Sequence, residues 1–308
     1  MARRRGTPVH GWLVLDKPRS ITSTHALNKV KRLFDAAKAG HAGTLDPLAT
    51  GILPIAFGEA TKTIQHVVEG TKQYQFLVRW GIETNTDDAE GEPVTQSEDR
   101  PTRAAIEAAL PAFRGQIMQV PPRFSAIKIE GERAYDLARD GEAFELQARP
   151  VEVARLEIAD IPSPDSCLFT AECGKGTYVR AIARDLGRVL GCLGHVAELR
   201  RTRVGPYEAG EAISLERLEE LSNSDAGREA LFGVLRPVET ALDGIPALAV
   251  SGPDAAQLKR GKPIIIRGRD APIHHGLIYA TSRGTLIALG EVQQGELKPS
   301  RVFNIPVR

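Results

Sequence analysis

The chain has 308 residues, enough for two domains, and its 42% hydrophobic and 26% charged content is ordinary for a globular protein in water. No apolar run approaches the roughly 20 residues needed to span a bilayer, and only a short apolar patch follows Met-Ala-Arg-Arg-Arg-Gly, so no secretory signal is evident. Cys167, Cys173 and Cys192 form no CxxC pair, which excludes a disulfide framework and leaves buried thiols and a cytoplasmic location as the expectation. The net charge of +1 is unevenly spread. Residues 1–45 hold nine Lys/Arg against two Asp/Glu, residues 174–205 seven against two, and residues 83–110 two against eight. Such asymmetry fits one basic face for phosphates and one acidic, solvated face.

In chain order, Val9–Leu15 reads as a strand ending at Asp16-Lys17-Pro18. Ser20, Thr22 or Ser23 caps a helix whose Ala26, Leu27, Val30 and Phe34 recur at helical spacing. His41-Ala42-Gly43-Thr44-Leu45-Asp46-Pro47-Leu48-Ala49-Thr50-Gly51 has neither a period of two nor one of 3.6, so it reads as an ordered loop. Its glycines free the backbone while Pro47 stiffens it around one carboxylate, Asp46. Rigid loops presenting one polar group are frequent homes of catalytic residues, although Asp-Pro also opens ordinary turns.

Ala60–Val68 reads as a helix and Lys72–Trp80 as a strand with Tyr74, Phe76, Val78 and Trp80 on one face. The acidic stretch 81–101 lacks the ligand spacing of a calcium loop and reads as an exposed turn. Thr102–Phe113 is helical with Ile106 and Leu110 inward, and two strands follow at about 151–160 and 167–173. Gly174-Lys175-Gly176-Thr177 precedes a helix that Thr177 is placed to cap, but it lacks the spacing of a nucleotide-binding P-loop. His195 has no second ligand at metal spacing and reads as structural. Helices are expected over 215–221 and 227–235. After Leu242-Asp243-Gly244-Ile245-Pro246 the composition shifts to one helix and several short strands.

Gly43-Thr44-Leu45-Asp46-Pro47-Leu48-Ala49-Thr50-Gly51 resembles the catalytic motif of the TruB branch of the pseudouridine synthases. Gln119-Val120-Pro121-Pro122-Arg123-Phe124-Ser125-Ala126-Ile127-Lys128 and Gly176-Thr177-Tyr178-Val179-Arg180 resemble two further segments of that family, and Gly194–Arg203 continues the likeness. The resemblance implies an α+β fold with a central, mostly antiparallel sheet. It implies a catalytic domain over 1–240, a tRNA-gripping insertion near 121–150, and a small β-rich PUA-like domain over 247–308. The implied activity is isomerisation of uridine 55 in the tRNA T-loop, by base flipping and without metal, nucleotide or other cofactor.

By the same resemblance Asp46 is the essential carboxylate, Arg180 its partner and Tyr74 the ring stacked on the target base. Tyr178 and Leu199 line the uracil pocket, His41 fills the space that the base vacates, and Lys17 supports the site. Arg123, Lys128, Arg133, Arg200 and Arg201 are expected on the RNA backbone, and Lys259, Arg260, Lys262, Arg267 and Arg269 near the acceptor stem. The partner is tRNA, the chain a monomer, and no membrane is involved. The competing reading is a non-catalytic tRNA-binding protein or RNA chaperone, which would have no need of Asp46, Arg180 and Tyr74 together.

Overall fold

The computed structural model describes residues 6–125, 127–129, 132–140, 142, 144–266 and 275–306. The side chains of Lys128 and Arg133, and all of Arg267 and Arg269, lie outside what is described.

The chain opens with β1 (Gly11–Lys17), α1 (Ser23–Leu33), β2 (Ala39–His41), β3 (Thr50–Phe57), α2 (Ile64–Glu69) and β4 (Lys72–Trp80). A small hairpin of β5 (Ile82–Thr84) and β6 (Pro93–Gln96) leads through α3 (Arg103–Ala109) to β7 (Gly115–Gln119). Next come β8 (Lys128–Ile129), β9 (Glu132–Arg133), α4 (Ala134–Arg139), β10 (Arg149–Ser163), β11 (Ser166–Cys173), α5 (Val179–Val189) and β12 (Gly194–Val204). The segments β13 (Tyr207–Glu208), β14 (Ile213–Ser214), α6 (Leu215–Ser222) and α7 (Gly227–Gly233) close the larger lobe.

Its sheet runs β14-β1-β3-β12-β4-β11-β10-β7, with β13 paired to β12 and β2 to β3. Pairing is antiparallel throughout except at β1/β14 and β3/β12. Because β1 and β3 are covered on both faces, they read as continuous apolar runs instead of alternating ones. The alternating β4 buries Phe76, Val78 and Trp80, with Phe76 stacked on Phe169 of β11 at 5.4 Å. The helix α1 starts where the Thr22 hydroxyl accepts from the His25 N–H at 3.1 Å, and Lys31 and Arg32 in its last turn complement the helix dipole.

The C-terminal lobe holds β15 (Ala247–Ala249), α8 (Gly252–Lys259), β16 (Ile264–Ile265), β17 (Gly276–Ser282), β18 (Thr285–Gln293) and β19 (Glu296–Val302). Its sheet order is β15-β17-β18-β19-β16. Leu286, Leu289 and Phe303 from this lobe share one apolar cluster with Trp12, Val14 and Ile52 of the larger lobe. Lys62 Nζ donates to the Val302 carbonyl at 2.7 Å, and the Asn304 N–H donates to Glu59 Oε2 at 2.7 Å.

Two local expectations are corrected. Thr177 does not cap α5; the N-cap position is Tyr178, and the Thr177 hydroxyl donates to the Glu152 carbonyl at 3.3 Å. The acidic stretch is an exposed turn only in part: Glu90, Glu92, Glu98 and Asp99 are exposed, but its centre is not. Asp87 and Asp88, 6% and 3% exposed, are tucked under α5, whose arginines answer their charge.

Candidate active site

The Asp46 loop is pinned at every step. Leu45, Leu48 and Ala49 bury their side chains in the main core. The Ser23 hydroxyl donates to the Leu45 carbonyl at 2.9 Å and accepts from the Leu45 N–H at 2.8 Å. Lys17, 0% exposed, donates to the carbonyls of Pro18 at 2.8 Å, Ile21 at 2.9 Å and Pro47 at 3.4 Å. Burial pushes its amine down to about 8, with the nearby Asp46 carboxylate pulling the other way. Arg201 grips both ends of the loop, donating to Gly43 O at 3.0 Å, Thr44 O at 3.3 Å and Ile52 O at 2.9 Å.

Arg201 thus corrects one expectation. At 2% exposure, with its nitrogens committed to loop carbonyls, it points inward and cannot meet an RNA backbone. Its neighbour Arg200 makes a two-pronged pair with Asp16 at 3.0 and 2.7 Å, so a phosphate there would have to compete with a carboxylate. Arg123 is exposed, donating to the Glu142 carbonyl at 3.1 Å beside the Phe144 ring.

Asp46 itself keeps 37% of its side chain exposed while Arg180 Nε holds its Oδ2 at 2.9 Å. The rest of the Arg180 guanidinium is committed elsewhere. Nη1 donates to the Thr86 carbonyl at 2.7 Å and lies 3.5 Å from Asp88 Oδ2, and Nη2 donates to the Phe124 carbonyl at 2.9 Å. A guanidinium fixed on three sides cannot swing, so the fourth contact sets the direction of the Asp46 carboxylate.

One turn along α5, Arg184 repeats the pattern with Asp87 at 2.9 Å and the Val120 carbonyl at 2.8 Å. One turn further, Arg188 takes Glu83. Burial pushes the Asp87 carboxyl up to about 6 despite Arg184. None of these acids was singled out from the sequence, and neither was Gln119. Its buried amide exchanges two hydrogen bonds with the Tyr178 backbone, at 2.9 and 3.1 Å.

Tyr74 lies between Ala171 of β11 and Arg201 of β12 and is half-buried. Burial raises its phenol, and Arg201 opposes that rise. Burial likewise raises the Tyr178 phenol, and the charges of Arg180 and Asp46 act on it in opposite senses. His41 is half-buried with Nδ1 unpartnered; burial and then the Arg201 charge lower its proton affinity, which keeps the ring neutral near pH 7. Leu199 lines a cavity of about 310 Å³ with Leu48, Thr50 and Phe76, and Arg19 and Arg200 also face it. Among the described residues no three His, Cys, Asp or Glu side chains are gathered as for a metal ion, and no helix is long and apolar enough to cross a membrane.

A carboxylate fixed by one arginine, open to solvent on its other side and flanked by tyrosines, lies where the strands of one mixed sheet meet. The same fold is found in a Cbf5-Nop10-Gar1 complex, with a TM-score of 0.74 and 25% identity over 96% of this chain and 84% of that one. An H/ACA RNP bound to a substrate RNA containing 2′-deoxyuridine has the same fold with a TM-score of 0.74, at 23% identity over 99% of this chain and 92% of that one. The chain is a pseudouridine synthase, an isomerase of uridine in RNA, as its family models and curated relatives show.

Within that class the chain belongs to the TruB family. The model of the TruB family pseudouridylate synthase N-terminal domain matches residues 31–179, and that of the tRNA pseudouridylate synthase B C-terminal domain matches 180–243. A Bradyrhizobium diazoefficiens protein named tRNA pseudouridine synthase B is 60% identical over 304 residues, 98% of this chain and 88% of its own. One of the same name from Agrobacterium fabrum is 54% identical over 302 residues, 97% of this chain and 96% of its own.

Proposed function

We propose that this chain isomerises uridine 55 in the T-loop of tRNA, with Asp46 as the essential carboxylate. The observation that carries the reading is the 2.9 Å contact between Arg180 and Asp46, made while Asp46 remains open to a substrate. Arginine faces the carboxylate with a fixed positive charge and aims it, which serves both a nucleophile and a base. A stacked base is out of reach, so the target nucleotide flips out at a cost of roughly a few kcal/mol. His41 occupies the space it leaves. The uracil lies against the Tyr74 ring, with Tyr178 and Leu199 closing the pocket against water. The C–N glycosidic bond breaks, the base turns, and a C–C bond forms; Asp46 acts either by covalent attack or by removing a sugar proton.

In the same reading residues 1–240 form the catalytic domain and 121–150 grip the tRNA arm. Residues 247–308 form a PUA-like domain on the acceptor side, where Lys259, Arg260 and Lys262 contact the RNA, and the protein works as a cytoplasmic monomer. The relatives' names support tRNA as the substrate.

The test uses an unmodified tRNA transcript with the wild-type protein and with Asp46→Ala. Pseudouridine is mapped by carbodiimide-dependent primer-extension stops, and binding is measured in parallel. A stop at the T-loop uridine with wild type alone, binding being equal, is the expected result. Tight binding with no stop from either protein would overturn the catalytic reading in favour of an RNA chaperone.

A further inference from the structure

Gln119 is the last residue of β7, the strand that ends the large sheet, and it is 2% exposed. A buried amide is tolerable only where its oxygen and its nitrogen both find partners. Here one residue answers both. Oε1 accepts from the Tyr178 N–H at 2.9 Å, and Nε2 donates to the Tyr178 carbonyl at 3.1 Å. A backbone N–H can only donate and a carbonyl only accept, so the amide is locked in one orientation. An amide supplies a donor and an acceptor side by side, whereas a carboxylate cannot donate and an ammonium cannot accept.

Tyr178 is where the chain turns from β11 into α5. It holds the N-cap position, with extended φ and ψ of −106° and 112° and no side chain capping it. The turn before it hangs from β10, whose Glu152 carbonyl accepts from the Gly174 N–H at 2.9 Å and the Thr177 hydroxyl at 3.3 Å. The Gln119 amide is the next fastening. The Tyr178 N–H belongs to one peptide plane and its carbonyl to the next, so gripping both fixes the two dihedrals between them. The direction of the Cα–Cβ bond, and hence the place of the ring, is fixed with them. β7 runs on into residues 120–124, whose Val120 and Phe124 carbonyls accept from Arg184 at 2.8 Å and Arg180 at 2.9 Å. Of these clasps between the end of β7 and α5, the one at Gln119 is the one that sets an aromatic ring.

We propose that Gln119 is a positioning residue for the isomerisation: by holding the Tyr178 backbone it sets the Tyr178 ring against the target uracil. Gln119 itself is buried away from the RNA and touches no reacting atom. The inference rests on the placement of Tyr178 in the uracil pocket made above.

The test is single-turnover isomerisation of an unmodified tRNA transcript at saturating protein, where the rate constant reports the folded molecules alone. It compares the full chain with Gln119→Met, Gln119→Glu, Tyr178→Ala and the two double variants that combine them. Gln116→Met, on the exposed side of the same strand, controls for disturbing β7 as such and is expected to run at the wild-type rate. Gln119→Met is expected to slow the rate by about 10²-fold, the loss that misplacing a pocket group by an ångström can bring, with tRNA binding near wild type. Gln119→Glu keeps the length but turns a carboxylate on the Tyr178 carbonyl; it is expected to be slowed as well, and it stands in if Gln119→Met does not fold. In the Tyr178→Ala background neither change at 119 is expected to slow the rate further. A wild-type rate constant for either Gln119 variant, an equal loss in Gln116→Met, or losses that multiply in the double variants would overturn the proposal and leave Gln119 a brace for the edge strand. An undiminished rate in Tyr178→Ala would overturn it too, by taking Tyr178 out of the pocket. Wild-type protein that forms no pseudouridine at the T-loop would instead sink the functional reading itself.

Discussion

Gly51 and Arg201 meet backbone to backbone: a β-carbon at Gly51 would stand 2.2 Å from the Arg201 carbonyl oxygen. Gly51 also has φ of 98°, in the left-handed region that costs other residues about 1–2 kcal/mol. The parallel pairing of β3 with β12 depends on that contact. Gly51→Ala is therefore expected to lose at least about 2 kcal/mol of stability, with activity falling along with it. Urea denaturation checks this; a midpoint within error of wild type would show that the strands part without cost.

Asp46 and its partner should separate stability from chemistry. Asp46→Asn leaves Arg180 its Thr86 and Phe124 carbonyls and Asp88, so the melting temperature should hardly move. The rate should fall by about 10³-fold or more. Arg180→Met strips the charge from beside buried Asp88 and is expected to cost about 3–5 kcal/mol as well as activity. Paired melting curves and single-turnover rates distinguish the two.

The Asp87 carboxyl gives a pH signature. Its ordinary value is 3.8 and burial pushes it up to about 6, so between those values the folded chain keeps a proton that the unfolded chain has released. The stability contributed by this group therefore rises as pH falls through about 6, by at most about 3 kcal/mol. Asp87→Asn should flatten that part of the stability curve. Identical pH dependence of the two proteins between pH 4 and 7 would contradict the assignment.

At the lobe junction, Phe303 is wholly buried and flanked by the hydrogen bonds of Lys62 and Glu59. Phe303→Ala is expected to cost about 3–5 kcal/mol. Glu59→Gln should cost less but still speed amide hydrogen exchange at Asn304. Unchanged exchange there would mean that the apolar contact alone holds the lobes.

What was legible in the sequence was local. The Asp46 loop shows itself through glycines, a proline and one acid within eleven residues, whereas the alternation of β4 marks Tyr74 only as a core-face residue and its place at the site comes from the family resemblance. What was hidden depends on distant partners. The acidic stretch looks solvated until Arg184, 97 positions away from Asp87, is seen to lie over it. Arg200 and Arg201 are adjacent and chemically alike in sequence. Strand alternation sends one to Asp16 near the surface and the other beneath the loop, but the buried face became clear only once β3 and β4 were known to flank β12. Gln119 gave no signal, since a lone glutamine at a strand end has no pattern.

The place of β12 between β3 and β4 has a consequence for how the protein is made. Residues 194–204 are synthesised more than a hundred positions after both of their neighbours, yet they fill the centre of the sheet. Until they leave the ribosome, the two earlier strands present unpaired edges, the feature that invites association with other chains. Asp46 meanwhile lacks the brace supplied by Arg201. Assembly is governed by long-range closure, which slows folding, and a chain interrupted before residue 204 would be both inactive and prone to aggregate.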